Sequence, residues 1–95
     1  MGSVIKTFAH KGLQKFYETG SIAGIQAQHE KKLAVILTAI DAATEIRDLE
    51  DPSFRMHPLK GDMRNLWSIK VNGNWRVVFR FENGDAYILN YLDYH

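Results

Sequence analysis

The sequence has 95 residues, of which 45% are hydrophobic and 24% are charged, the composition of one small globular domain rather than of a disordered chain. It contains no cysteine, which excludes a disulfide framework, a thiolate zinc site and a cysteine nucleophile. No apolar run approaches the roughly 18 residues that cross a bilayer, and we expect no signal peptide before the fold. We therefore expect a cytoplasmic protein whose single domain covers residues 1–95, with Met1 to Ser3 a remnant of cloning and no contact with membranes.

Charge is distributed unevenly along the chain, although the formal net charge is only +1. The stretch from Asp41 to Asp51 holds five acidic residues and one arginine, whereas the stretch from Arg55 to Arg80 has one carboxylate, Asp62. The cations of that second stretch are Arg55, Lys60, Arg64, Lys70, Arg76 and Arg80. Such a cluster creates a local positive potential that favours a polyanion, but an ordinary solvated sheet face has the same composition.

The first part of the chain predicts a strand and a helix. Val4 to Phe8 is predicted as a short strand. From His10 to Thr19 apolar residues recur at helical spacing, and the predicted helix stops before Gly20. Gly12, inside this helix, lowers its propensity by about 1 kcal/mol relative to alanine.

A second, more regular helix is predicted from Ala27 to Ala43. Its apolar residues recur at i, i+3, i+4 and i+7 and form one stripe, made up of Leu33, Ile36, Leu37 and Ile40. Beyond it, Glu45 to Leu49 is predicted to add a short helical turn that ends before Pro52.

The last part of the chain changes to a period of two, which is typical of strands. Apolar residues alternate with other residues from Trp67 to Val71 and from Trp75 to Phe81, and a third run covers Ala86 to Tyr91. Asn72-Gly73 and Asn83-Gly84 separate these runs, and Asn-Gly tolerates the positive φ angles of a two-residue hairpin. Three runs joined by two such turns predict an antiparallel meander.

Together these elements predict an α+β fold, with two N-terminal helices packed on one face of a small twisted, mainly antiparallel sheet. If the aromatic residues of the meander face the helices, Lys70, Arg76 and Arg80 must emerge on the opposite face, because side chains alternate along a strand. A register slip of one residue would bury arginines, so the register should be firmly set. The predicted sheet therefore has a basic face that no helix covers.

Two of the four histidines are candidates for acid–base chemistry, because an unperturbed imidazole titrates near neutrality. His57 lies in a loop that leads into the meander, and His95 follows the last predicted strand. Cleavage of RNA without a metal needs a base for the 2′-hydroxyl, an acid for the leaving 5′-oxygen, and cations for the phosphate. The candidate acids and bases are His57, Asp93 and His95, with Tyr94 as a candidate for stacking on a nucleobase. The candidate phosphate ligands are Lys60, Arg76 and Arg80.

Simpler interpretations of these residues stay open at this point. A histidine before a proline can satisfy a loop backbone, and a terminal histidine can be frayed and without a role. His10 and His29 lie near lysines in the helical half, so we expect them at the surface and assign them no role. The sequence has no His-x-x-x-His or cysteine pair, no Gly-x-Ser-x-Gly elbow and no Walker loop, and neither a metal nor a cofactor is predicted.

Several short motifs, taken in order along the chain, resemble the HigB family of the RelE/ParE toxin superfamily. They are Ile5-Lys6-Thr7-Phe8, His10-Lys11-Gly12-Leu13, His57-Pro58-Leu59-Lys60-Gly61-Asp62, Trp67-Ser68, Asn74-Trp75-Arg76 with Phe79, Gly84-Asp85-Ala86-Tyr87, and Asp93-Tyr94-His95. Their order and distances make the resemblance specific, and it covers nearly the whole chain after Ser3. It implies a RelE/ParE-like, microbial-RNase-like fold and ribosome-dependent cleavage of messenger RNA in the A site.

The resemblance also implies partners and site residues. The implied partners are the 70S ribosome with its mRNA and a cognate helix-turn-helix antitoxin, through which alone the protein would meet DNA. The positions that match the family's catalytic residues are His57, Asp93, Tyr94 and His95. Lys60 and Arg76 match its phosphate-binding cations, whereas Arg80 enters only as a residue of the basic surface.

Two other functions are compatible with the sequence. A ParE-like toxin shares the fold but inhibits DNA gyrase as a protein ligand, without catalytic residues of its own. A noncatalytic RNA-binding module would keep the basic face and cleave nothing. The presence of His57 and His95 argues against the gyrase inhibitor, because an inhibitor needs neither.

Overall fold

The computed structural model describes residues 4–59 and 65–93. Two helices, α1 (Lys11–Thr19) and α2 (Glu30–Ala42), precede four strands. The strands are β1 (His57–Pro58), β2 (Leu66–Asn72), β3 (Trp75–Glu82) and β4 (Asp85–Asp93). Three short 3-10 turns complete the described elements, at Ala27–His29, Ile46–Leu49 and Pro52–Phe54.

Helix α1 begins and ends where the sequence predicts. His10 is its N-cap, and the His10 Nδ1 accepts the backbone N–H of Leu13 at 3.0 Å. Gly20 ends the helix in the left-handed conformation, with φ of 80°, and donates its N–H to the carbonyl of Phe16. Inside the helix, Gly12 faces the backbone of Gly24, and a methyl group at Gly12 would lie 2.3 Å from the Gly24 carbonyl oxygen. Glycine is therefore required at position 12 despite its low helix propensity, because a side chain there would clash with the backbone of Gly24.

Helix α2 is shorter than predicted at its start. The expected helix from Ala27 begins as the 3-10 turn Ala27–His29 and becomes α-helical at Glu30. The buried residues of α2 are the four of the predicted apolar stripe. The predicted turn after α2 is confirmed as the 3-10 turn Ile46–Leu49, which is closed by reciprocal bonds between the side chains of Glu45 and Asp48 and each other's backbone N–H.

The sheet has the order β1-β2-β3-β4, and each neighbouring pair is antiparallel. The loop Asn83–Gly84 has φ of 52° and 80°, as an Asn-Gly hairpin requires. The first predicted turn is displaced by one residue, because Asn72 remains in β2 and the connection is formed by Gly73 and Asn74. The predicted loop around His57 is also partly wrong, since His57–Pro58 pairs with β2 as a two-residue strand.

The N-terminal segment does not form the continuous strand that the sequence predicts. Ile5 and Phe8 instead form isolated parallel bridges to Ala86 and Leu89 of β4. The bonds of the first bridge run from Lys6 N to the Ala86 carbonyl at 2.8 Å and from Ala86 N back to the Val4 carbonyl at 2.7 Å. This segment covers the outer edge of β4.

The hydrophobic core lies between the two helices and one face of the sheet, so the α+β prediction is confirmed. Its sheet residues include Ile69, Val77 and Phe79, all fully buried. Lys70 and Arg76 are register partners, and Arg80 shares their parity along β3. The predicted separation of an aromatic, helix-facing side from a basic side is therefore confirmed by the register.

Candidate active site

His57 lies on the same face of the sheet as the predicted cations. It pairs with Ser68 of β2, and Ser68 pairs with Val78 of β3, so these side chains project from one face. The His57 side chain is exposed. Its Nδ1 lies 3.3 Å from the Pro58 carbonyl oxygen. A carbonyl oxygen only accepts, so this contact needs the proton on Nδ1 and leaves the lone pair of the neutral ring on Nε2.

We define the basic face as the surface formed by Lys70, Arg76 and Arg80. His57, Ser68 and Val78 form one row of paired residues across the sheet, which we call the His57 row. The row Lys70–Arg76–Leu92 lies on one side of it, and the row Leu66–Arg80–Tyr87 lies on the other. Each arginine lies two residues, roughly 7 Å, along β3 from Val78, and β3 is two strand spacings, roughly 10 Å, from the strand of His57.

The two arginines are held differently. Arg76 is half-buried, and its Nη1 donates to the carbonyls of Gly73 at 2.9 Å and Trp75 at 3.2 Å. Within residues 4–59 and 65–93 it forms no ion pair with a carboxylate. Arg80 is exposed and lies 3.9 Å from Glu82, a distance at which an exposed pair contributes little. Arg76 is therefore the better ordered of the two phosphate candidates.

Asp93 is placed apart from His57. It pairs with Trp75, which puts it on the helix-facing parity of β4, and it is exposed at the strand end. Three strand spacings, roughly 14 Å of sheet width, separate β1 from β4. The structure thus places His57, Arg76 and Arg80 on one face of the sheet, whereas Asp93 has the opposite parity.

Three predicted site residues lie outside the described residues. They are Lys60, Tyr94 and His95, and Arg64 of the predicted basic stretch is a fourth position of this kind.

The expectation that His29 is a surface residue is wrong. His29 is 1% exposed, and its Nδ1 lies 2.6 Å from the Tyr91 hydroxyl. Burial lowers the pKa of His29 below its ordinary value. The apolar stripe of α2 could have indicated this, because His29 lies four residues before Leu33 and seven before Ile36. The neighbouring lysines were the misleading signal.

His10 also has a structural role that the sequence analysis missed. It is half-buried, caps α1, and has its ring centroid 5.4 Å from that of Tyr91. Burial lowers the pKa of His10, against a smaller opposing effect of its hydrogen bond to the backbone. Capping by Nδ1 requires a neutral ring, because a protonated Nδ1 could not accept the N–H of Leu13. The role of His10 is therefore structural.

Within residues 4–59 and 65–93, no three His, Cys, Asp or Glu side chains come together as a metal site would require. In the same ranges, no helix has the length and apolar character needed to cross a bilayer.

Comparison with known proteins agrees with this architecture. The model of the HigB-like toxin family, described as RelE-like toxins of type II toxin–antitoxin systems, matches residues 6–95. The chain belongs to the HigB-like toxin family. Membership of a type II toxin family implies an antitoxin partner for this HigB-like toxin.

Individual relatives of this HigB-like toxin span almost its whole length. It is 52% identical over 92 residues to a Proteus vulgaris protein named endoribonuclease HigB, covering 97% of this chain and 100% of that protein. It is 34% identical over 90 residues to toxin HigB-1 of Vibrio cholerae serotype O1, covering 93% and 94% of the two chains. The fold is similar to that of a copper-bound mutant toxin from Helicobacter pylori, with a TM-score of 0.55 and 20% identity over 93% of this chain and 92% of that one.

Proposed function

We propose that this HigB-like toxin is an endoribonuclease that cuts messenger RNA in the ribosomal A site. The observation that carries the proposal is the position of His57, an exposed imidazole on the same sheet face as Arg76 and Arg80. The name of the Proteus vulgaris relative, which is 52% identical, supports an endoribonuclease. Ribosome dependence and cleavage of the A-site codon follow from the resemblance to the family.

The chemistry that suits this face is transesterification at one phosphodiester. The 2′-oxygen attacks phosphorus, the bond from phosphorus to the 5′-oxygen breaks, and a 2′,3′-cyclic phosphate and a 5′-hydroxyl form. One proton leaves the 2′-hydroxyl and one is delivered to the 5′-oxygen. We assign the base to Nε2 of His57, because the contact of Nδ1 with the Pro58 carbonyl leaves that nitrogen as the acceptor.

The acid is assigned to His95, the remaining histidine of the family motif. Asp93 orients a histidine or favours one of its protonation states. Tyr94 stacks on a nucleobase or forms a hydrogen bond with the nucleotide. These assignments rest on the match of residues 93–95 to the family motif.

The cations stabilise the charge that develops on the phosphate oxygens. A guanidinium can donate two parallel hydrogen bonds to a phosphate, and such charge-assisted bonds are stronger than neutral ones. Arg76 supplies this group in the proposed site, with Lys60 as a second cation and Arg80 on the other side of the His57 row. The catalytic steps use groups of the protein alone and need no metal.

The proposed biological setting follows from the family. The partner is a helix-turn-helix antitoxin encoded with the toxin, and DNA is reached only through it. The targets are the 70S ribosome and mRNA, which implies action in the cytoplasm.

Cleavage on programmed ribosomes tests the proposal. The protein is added to ribosomes that hold a defined A-site codon, and the mRNA is examined for a cut and for a cyclic phosphate end. Gln28→Ala is the matched control for His57→Ala, because Gln28 is exposed on the helical half. We expect a cut in the A-site codon with wild type and Gln28→Ala, and its loss with His57→Ala. Intact mRNA together with inhibited gyrase supercoiling would contradict the proposal and identify a ParE-like inhibitor.

Single-turnover rates as a function of pH test the acid–base assignment. His57→Ala should remove the ascending limb of the profile and His95→Ala the descending limb, because the base acts deprotonated and the acid protonated. If both variants keep the full rate, the assignment of the two histidines is wrong.

A further inference from the structure

We infer that His29 is a positioning residue for the proposed cleavage: from within the core it fixes the start of β3 and the end of β4, where Arg76 and Asp93 lie. The inference rests on the proposed function for its kinetic test, and on the fold alone for its structural test. Neither the family motifs nor the acid–base assignment involves this residue.

His29 belongs to a buried aromatic cluster that joins the start of α2 to the sheet. Its Nδ1 lies 2.6 Å from the hydroxyl of Tyr91, which is 3% exposed. The Trp75 ring is 5.6 Å from the His29 ring and 4.5 Å from the Tyr91 ring, measured between centroids. Three rings in mutual contact make a rigid unit, because each restricts the rotamers of the other two.

The hydrogen bonds of the cluster define its protonation. The backbone N–H of Gln26 donates to the Tyr91 oxygen at 3.3 Å, and the hydroxyl proton of Tyr91 is available to Nδ1 of His29 when the ring carries its proton on Nε2. This arrangement needs a neutral imidazole and a neutral phenol. Burial favours both, since it lowers the pKa of His29 and raises that of Tyr91.

The cluster is connected to the candidate site through the backbone. Trp75 is the register partner of Asp93, and the next residue along β3, Arg76, is the partner of Leu92. Nη1 of Arg76 also donates to the Trp75 carbonyl at 3.2 Å. Tyr91 precedes Asp93 by two residues on the same parity of β4. A shift of Trp75 or Tyr91 therefore displaces the backbone that carries both Arg76 and Asp93.

Stability alone does not favour a histidine at this position. The Nε2 of His29 is buried and has no hydrogen-bond partner among the residues that the structure describes. An unsatisfied buried polar group is destabilising, and an apolar side chain would avoid that cost. The polar atom that is used, Nδ1, is the one that holds Tyr91.

The test compares two substitutions that branch at Cγ and have the same number of heavy atoms, His29→Asn and His29→Leu. Both remove the imidazole ring, but only asparagine keeps a polar atom near the position of Nδ1. Tyr91→Phe removes the bond from the other side. Ile40→Val is the control for a general loss of packing, because Ile40 is fully buried in α2, about 16 Å along the helix from His29.

We expect a split between kcat and KM on programmed ribosomes. His29→Leu and Tyr91→Phe should lower kcat about 10- to 100-fold while KM stays within about threefold. The reason is that misplacement of catalytic groups acts on the chemical step. His29→Asn should recover most of the rate, and Ile40→Val should cleave like wild type. The inference is overturned if His29→Leu cleaves as fast as Ile40→Val.

Amide hydrogen exchange provides a readout that does not depend on cleavage. The amides of Arg76 and Asp93 should exchange about 10-fold faster in His29→Leu than in His29→Asn, because local opening at the strand ends becomes easier. Wild-type protein that cleaves nothing would contradict the proposed function and leave this test in place. Equal exchange in the two variants would overturn the positioning role.

Discussion

Lys70 and Arg76 face each other directly across β2 and β3, as register partners on the basic face. Like charges at directly opposed positions of a sheet destabilise it. A fold selected for stability alone would place a carboxylate at one of the two sites. The pair is instead suited to a polyanion, whose phosphates relieve the repulsion when they bind.

Lys70→Glu should therefore separate stability from function. We expect its free energy of unfolding to rise by about 0.2–1 kcal/mol, the size of a favourable cross-strand charge pair. Affinity for single-stranded RNA at low salt should fall in the same variant. Urea denaturation and a salt titration of binding check the two effects. A variant that is neither more stable nor weaker in binding would contradict this account of the pair.

Arg76→Ala should reduce the rate of cleavage more than it reduces stability. Loss of a donor to the charge that develops in a transition state costs about 100-fold or more in kcat. Arg47→Ala is the control, because Arg47 is exposed on a 3-10 turn and pairs with a neighbouring carboxylate, Glu45. Single-turnover cleavage by the two variants is the measurement. Equal rates for Arg76→Ala and Arg47→Ala would remove Arg76 from the site.

Gly12→Ala should destabilise the protein despite the higher helix propensity of alanine. The propensity gain is about 1 kcal/mol, but the new methyl would lie 2.3 Å from the Gly24 carbonyl oxygen, and overpacking against backbone costs about 1–3 kcal/mol. We expect a net loss of about 1 kcal/mol in thermal or urea unfolding. Lys15→Ala, at an exposed position of the same helix, should change stability by less than about 0.5 kcal/mol. A more stable Gly12→Ala would show that the backbone at Gly24 moves aside.

Stability should decrease as the pH falls below the ordinary pKa of histidine, near 6.5. The pKa of His29 is lowered in the folded state, so the unfolded chain binds the proton first and stability falls between 6.5 and the folded-state pKa. His10, on the other side of Tyr91, acts in the same direction. Each contributes a slope of at most about 1.4 kcal/mol per pH unit.

Urea unfolding at pH 7, 6 and 5 measures this slope. It should be smaller in His29→Asn, in which only His10 remains of the two. The carboxylates with lowered pKa, Asp48 and Asp51, titrate from 3.8 downwards and do not act in this range. An unchanged slope in His29→Asn would mean that the pKa of His29 is the same in the folded and the unfolded chain.

The faces of the sheet could be predicted because side-chain parity is a local property. Alternation from Trp67 to Phe81 placed Lys70, Arg76 and Arg80 on the side opposite the aromatic residues, and the register confirms that the three share one face. The two-residue strand at His57 could not be predicted in this way. Its pairing with Ser68 depends on a contact between segments, and two residues are too few for a period.

The face on which Asp93 lies could not be predicted from the sequence, for a different reason. A bulge in β4 places two residues, Ile88 and Leu89, opposite Phe79 of β3. Ile88 has a φ of 51°, and the bulge reverses the parity of every later residue in β4. Asp93 therefore shares the parity of Tyr91 and not that of Arg76. A β-branched residue gives no local signal for this conformation, since valine and isoleucine rarely adopt it.

The parallel bridges between the N-terminal segment and β4 also make one edge of the sheet depend on two distant segments of the chain. Ile5 and its partner, Ala86, lie far apart in the sequence. The outer edge of β4 is therefore covered only in a chain that contains both segments. Cleavage between the two segments would leave the backbone N–H and C=O groups of this edge unpaired, the condition in which strands pair with other chains.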